Sequence, residues 1–78
     1  MQVKVRYFAA LRERAGKSED LVEVEPGTTV GGLFVNTFPP SSEGSMPAMF
    51  AVNQVYVDAD HPLKQSDEVA FIPPLGGG

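Results

Sequence analysis

The chain closes on Leu75-Gly76-Gly77-Gly78, a glycine run that follows Ile72-Pro73-Pro74 and offers an unhindered glycyl carboxylate. Glycine lacks a Cβ, so such a run threads a channel too narrow for other residues and takes backbone angles that they avoid. An end of this shape suits being another protein's substrate. On that reading Gly78 carries the reacting carboxylate, and Gly76 and Gly77 form the slender approach. A glycine tail taken alone is more often just a loose end, and the rest of the chain has to decide.

Chemistry elsewhere in the 78 residues finds little support. His61 is the single histidine, and Ser41, Ser42, Ser45 and Ser66 lack the surroundings of a nucleophile elbow, so no triad can be assembled. Asp58, Asp60, His61, Asp67 and Glu68 do not follow the spacing of a calcium loop and read as a solvated acidic turn. Pro26-Gly27 and Gly31-Gly32 lack the lysine and the spacing of a phosphate loop. The chain has no cysteine, which excludes disulfides, thiolate metal sites and thiol nucleophiles. A net charge of −4 with scattered cations disfavours nucleic acid and favours a basic partner. No apolar stretch is long enough to span a membrane and the start lacks a signal-peptide core, so a cytoplasmic protein is expected.

The elements that must position the tail are legible as patterns. From Gln2 to Phe8 polar and apolar residues alternate, which predicts a strand with Val3, Val5 and Tyr7 inward and Gln2, Lys4 and Arg6 outward. Ala9 to Ala15 favours a short helix with Leu11 and Ala15 on one face, and Gly16 sits where a C-cap belongs. Leu21 to Glu25 predicts a second strand, with Val22 and Val24 inward and Pro26-Gly27 as its turn. Thr29 caps the main helix, whose apolar positions Val30, Leu33, Phe34 and Phe38 follow helical spacing up to Pro39-Pro40. Gly31 and Gly32 each cost that helix about 1 kcal/mol relative to alanine, so tertiary packing must hold its first turn.

Pro39 to Pro47 reads as loop, Ala48 to Val57 as two strands broken near Asn53-Gln54, and Asp58 to Asp67 as loop again. Glu68 to Ile72 is the last strand, with Val69 and Phe71 inward, and it feeds through Pro73-Pro74 into the tail. This order predicts an α+β fold, a mixed sheet with one main helix on one face, and a first strand parallel and adjacent to the last. Residues 1–74 would form the domain and 75–78 a flexible tail reaching on the order of 13 Å beyond its anchor. Strand parity leaves Phe8, Ile72 and, if Val55 and Val57 point in, Tyr56 on the opposite sheet face, a candidate partner-binding patch beside the tail root.

Several motifs, in order, resemble one family. Tyr7-Phe8-Ala9-Ala10-Leu11-Arg12-Glu13-Arg14-Ala15-Gly16, Val52-Asn53-Gln54, Asp60-His61-Pro62-Leu63 and Asp67-Glu68-Val69-Ala70-Phe71-Ile72-Pro73-Pro74, ahead of Gly77-Gly78, are similar to the small subunit of molybdopterin synthase. The resemblance implies a ubiquitin-like β-grasp fold and a sulfur carrier in molybdenum cofactor biosynthesis. It implies that a ubiquitin-activating-like adenylating enzyme uses ATP and magnesium to activate the Gly78 carboxylate, which then becomes a thiocarboxylate. The tail would enter the large synthase subunit, in a heterotetramer, and deliver sulfur to cyclic pyranopterin monophosphate, the large subunit supplying the catalytic groups. Phe8, Tyr56, Ile72, Pro73, Pro74 and Leu75 would meet the partners. This sequence departs from the family pattern with Gly76 before the final two glycines and with Ser66 where a glycine usually precedes Asp-Glu; a positive φ is expected at Ser66. A carrier for thiamine or tRNA thiolation, a protein modifier joined to lysines, and a β-grasp module with idle glycines remain open alternatives.

Overall fold

Val3, Val5, Val69 and Phe71 are fully enclosed, and the sheet is built around the two strands that carry them. A computed structural model describes residues 1–39 and 48–74; the Pro39 to Pro47 loop after its first residue, and the tail 75–78, lie outside the described residues. In chain order the elements are β1 (Gln2–Tyr7), α1 (Ala9–Ala15), β2 (Glu19–Glu23), α2 (Val30–Thr37), β3 (Met49–Val52), β4 (Val55–Val57) and β5 (Glu68–Ile72). The five strands form one sheet in the order β2-β1-β5-β3-β4. Only β1 and β5 run parallel, with Val5 beside Val69 and Tyr7 beside Phe71. The last strand is therefore the central one.

The inner face closes against α2. Val30, Leu33 and Phe34 of the helix pack on Val3, Val5, Tyr7, Val52, Val69 and Phe71, while Leu11 from α1 and Leu63 complete the core. Phe71 is its hub, with ring centroids 5.1 Å from Phe34, 6.0 Å from Tyr7 and from Phe50, and 6.4 Å from Phe38. Most of these pairs are edge-to-face, the arrangement that aromatic quadrupoles favour. Burial first, and the nearby Asp20 carboxylate second, raise the Tyr7 phenol above its ordinary value, so that ring remains neutral among the others.

Local signals appear where the sequence puts them. Gly16 ends α1 at φ 76°, and Phe38 leaves the helical region at φ −127°, as a residue before proline should. Asn53 and Gln54 turn β3 into β4 at φ 51° and 70°, and Ser66 adopts φ 69°. Two expectations change. The second strand spans Glu19–Glu23 rather than Leu21 to Glu25, because pairing with β1 sets Val22 against Val3 and extends toward Arg6 and Glu19. As an edge strand it leaves Val22 only half-buried, and Val24, just beyond its end, is half-buried too. Val55 is 62% exposed although it pairs with inward Val52, since three-residue β4 lies at the opposite edge.

The first turn of α2 explains its glycines. The Val30 N–H donates to the His61 carbonyl at 2.9 Å and the Gly31 N–H to the Ala59 carbonyl at 2.8 Å. The Gly32 N–H donates to Thr29 Oγ1 at 3.1 Å and the Leu33 N–H to the Thr29 carbonyl at 3.0 Å. Three donors that the helix leaves orphaned at its start, on Val30, Gly31 and Gly32, are thus satisfied, two of them by the loop that precedes β5, and the Leu33 bond opens the regular helical ladder. That loop comes so close that a Cβ on Gly31 would lie 2.7 Å from the Ala59 Cβ and 2.8 Å from its carbonyl oxygen. A Cβ on Gly32 would meet only Thr29 Oγ1, at 3.2 Å.

The two glycines should therefore respond differently to the same change. Gly31→Ala is expected to cost about 1–3 kcal/mol through overpacking despite its better helix propensity, lowering the melting temperature by roughly 4–8 °C per kcal/mol. Gly32→Ala should leave it nearly unchanged, and a pair of thermal melts distinguishes the two.

Candidate functional site

The tail grows from the best-anchored strand of the sheet. β5 pairs with β1 on one side and β3 on the other, and its inward residues Val69 and Phe71 are fully enclosed. Pro73 is half-buried and Pro74 exposed, so the chain leaves the core within two residues of Ile72. Leu75, Gly76, Gly77 and Gly78 lie outside the described residues.

The start of β5 is held by side chains as well as by the ladder. Asp67 is 8% exposed, and its carboxylate accepts from Asn53 Nδ2 at 2.9 Å and from the Lys64 N–H at 2.7 Å. Asn53 in turn accepts the Glu68 N–H on Oδ1 at 3.0 Å, while its own N–H donates to the Glu68 carbonyl at 2.8 Å. The β3–β4 turn is so bolted to the entry of β5. This corrects the reading of the acidic segment as wholly solvated: Asp67 is a buried structural acceptor, whereas Asp58 and Asp60 are exposed. Among the described residues no three His, Asp or Glu side chains converge as a metal-binding group.

The other face of the sheet carries the apolar patch. Ile72 pairs with Met49, and Phe8 follows Tyr7 at the same level beyond the end of β1. Tyr56 stands two strands away in the row Glu19, Arg6, Ala70, Ala51, Tyr56 that crosses all five strands. Phe8 is 38% exposed, Met49 40% and Tyr56 66%, with Ile72 half-buried. Phe8, Ile72 and Tyr56 thus share the outward face that parity assigned to them. Parity reasoning passed over Met49, Ala51 and Ala70; strand pairing with Ile72, Tyr56 and Arg6 brings them to the same face. Ala70 and Ala51 give the patch a low floor between taller side chains. Alternation in Glu68 to Ile72 did hold that signal for Ala70, but Met49 required the register of β3 against β5.

A sheet that grips one helix and sends its central strand into a glycine terminus defines a ubiquitin-like β-grasp protein. The model of the ThiS family matches residues 5–78. Over its whole length the chain is 41% identical to the molybdopterin synthase sulfur carrier subunit of Chlamydomonas reinhardtii, of which it covers 100%. It is 39% identical to that of Escherichia coli, with 97% of this chain and 99% of the relative covered. Among solved structures, a putative molybdopterin converting factor subunit 1 from Pyrococcus furiosus superposes with a TM-score of 0.78 at 30% identity, covering 96% of this chain and 99% of that one. SAMP1 from Haloferax volcanii superposes with a TM-score of 0.78 at 25% identity over the full length of both chains. A Helicobacter pylori chain from a protein–protein complex of subunits 1 and 2 of molybdopterin-converting factor shares the fold at a TM-score of 0.63 and 22% identity, covering 100% of both chains. The chain belongs to the ThiS family, among the molybdopterin synthase sulfur carrier subunits.

Removing Asp67 should expose how far β5 depends on its side-chain bolt. Asp67→Ala leaves the Asn53 amide and the Lys64 N–H without their acceptor and is expected to cost about 2–3 kcal/mol in urea denaturation. Asp58→Ala, exposed on the same loop, should stay within about 0.5 kcal/mol.

Proposed function

We propose that the Gly78 carboxylate is the working group of this carrier and that it ferries sulfur as a thiocarboxylate to cyclic pyranopterin monophosphate. The observation that carries this reading is the placement of β5: the central strand, locked on both sides and anchored by Phe71, is followed in sequence by Pro73-Pro74 and the glycine run. A terminus so rooted can be presented to a partner without disturbing the domain.

The chemistry follows from the weakness of a carboxylate as an electrophile. Its oxygen attacks the α-phosphorus of ATP, pyrophosphate leaves, and an acyl-adenylate forms; a sulfur nucleophile then displaces AMP. An adenylating enzyme holding ATP and magnesium supplies this step, and nothing in it calls on a side chain of this chain. The thiocarboxylated tail next enters the large synthase subunit, whose groups direct the sulfur to the pterin; one tail is consumed for each dithiolene sulfur. The Helicobacter pylori complex of subunits 1 and 2 supports such a pairing. Gly76 and Gly77 thread the channel. Phe8, Ile72 and Tyr56, with Pro73, Pro74 and Leu75, meet the partners.

Three experiments test the reading. Incubation with host extract and ATP should raise the intact mass by one oxygen-to-sulfur exchange at Gly78, and deletion of Gly78 should abolish transfer while leaving the melting temperature unchanged. Transfer retained by the truncated chain refutes the tail assignment, and a lysine-linked ladder would assign a modifier instead. Phe8→Asp should keep the fold, since this ring lies outside the core, yet abolish calorimetric binding to the large subunit; unchanged affinity would sink the docking role of the patch.

A further inference from the structure

Among the described residues, the outer face holds one cation without a carboxylate partner. Lys4 and Arg6 stand two residues apart on the same side of β1, and each has a carboxylate beside it in the register: Glu68 pairs with Lys4, and Glu19 with Arg6. Glu19 nevertheless turns to Lys4, whose Nζ lies 3.6 Å from its Oε2. Among the described residues no carboxylate comes within ion-pair distance of Arg6. Its guanidinium lies 5.5 Å from the centroid of the Phe8 ring, a cation–π contact that places the planar group beside the apolar patch while Arg6 stays exposed. Next along the row come Ala70 and Ala51, too short to shield it from anything that settles on the face.

Any protein that covers Phe8 must desolvate this guanidinium in part. A covered charge without an acceptor is costly, and guanidinium presents a fixed fork of donors that matches a carboxylate in two-point geometry. We infer that Arg6 is a specificity-determining residue of the outer face, and that the partner seated there brings an aspartate or glutamate, bordered by apolar side chains, to its guanidinium. This rests on the carrier reading, in which the face docks on the large subunit. It adds a polar condition to an otherwise apolar fit: a surface that merely matches Phe8, Met49, Ile72 and Tyr56 in shape is rejected, because it strands the charge. Specificity of this kind comes from penalising the wrong partner as much as from rewarding the right one.

The test is the affinity of the full chain for the large synthase subunit, by calorimetry at low and high salt. Arg6→Met fills the same volume without the charge and, being exposed in a strand, should preserve the melting temperature. It is expected to weaken binding at least about thirtyfold, because the partner's carboxylate loses its mate. The salt dependence of the remaining affinity should flatten. Affinity and salt dependence unchanged in Arg6→Met, with Phe8→Asp still abolishing binding, would overturn the role of Arg6 and leave the docking surface standing. Normal binding by Phe8→Asp would remove the docking surface, and the inference with it.

Discussion

Phe71 is where the architecture and the terminus meet. Its ring is fully enclosed and touches Tyr7, Phe34, Phe38 and Phe50, so two neighbouring strands and the main helix are tied through one side chain. Burying a phenylalanine contributes about 1.5–3 kcal/mol, and each well-oriented aromatic pair adds about 0.5–1.5 kcal/mol. A domain of this size is stable by only about 4–12 kcal/mol. A single residue thus commands a large share of the margin, and it stands two positions before Pro73. The residue that holds the sheet to its helix also fixes the point from which the tail departs.

Around that centre, the joints are made of backbone more than of side chains. The loop before β5 lends two carbonyls to the first turn of α2, and the Asn53 turn bonds both the N–H and the carbonyl of Glu68. These contacts give physical meaning to motifs with no chemistry of their own. Asp60-His61-Pro62-Leu63 lends the His61 carbonyl to the first turn of α2 and sinks Leu63 in the core, and Asp67 ties Asn53 to Lys64. Gly31 belongs to the same joint, since only a residue without a Cβ lets Ala59 approach.

What could be read in advance was whatever depends on near neighbours. Alternation placed Val3, Val5, Tyr7, Val69 and Phe71 inward, helical spacing placed Leu33 and Phe34, and Thr29 and Gly16 marked helix ends. The parity that buried Phe71 also turned Ile72 outward. Features set by distant partners were not legible. The bounds of β2 depend on its register against β1, and the exposure of Val55 on its place at a sheet edge. The burial of Asp67 depends on a turn 14 residues away, and the need for Gly31 on a loop that arrives from the other end of the domain. Met49 entered the patch only through its pairing with Ile72.

The central position of β5 has a mechanical side. A tug on the tail acts along the strand axis, and the strand is bonded laterally to β1 over Lys4 to Tyr7 and to β3 over Met49 to Val52. Force in that direction shears both ladders together, so their bonds must yield in concert; had the last strand been an edge hairpin pulled sideways, they would have opened one after another like a zipper. Under a load applied at the end of β5 the sheet thus stays closed.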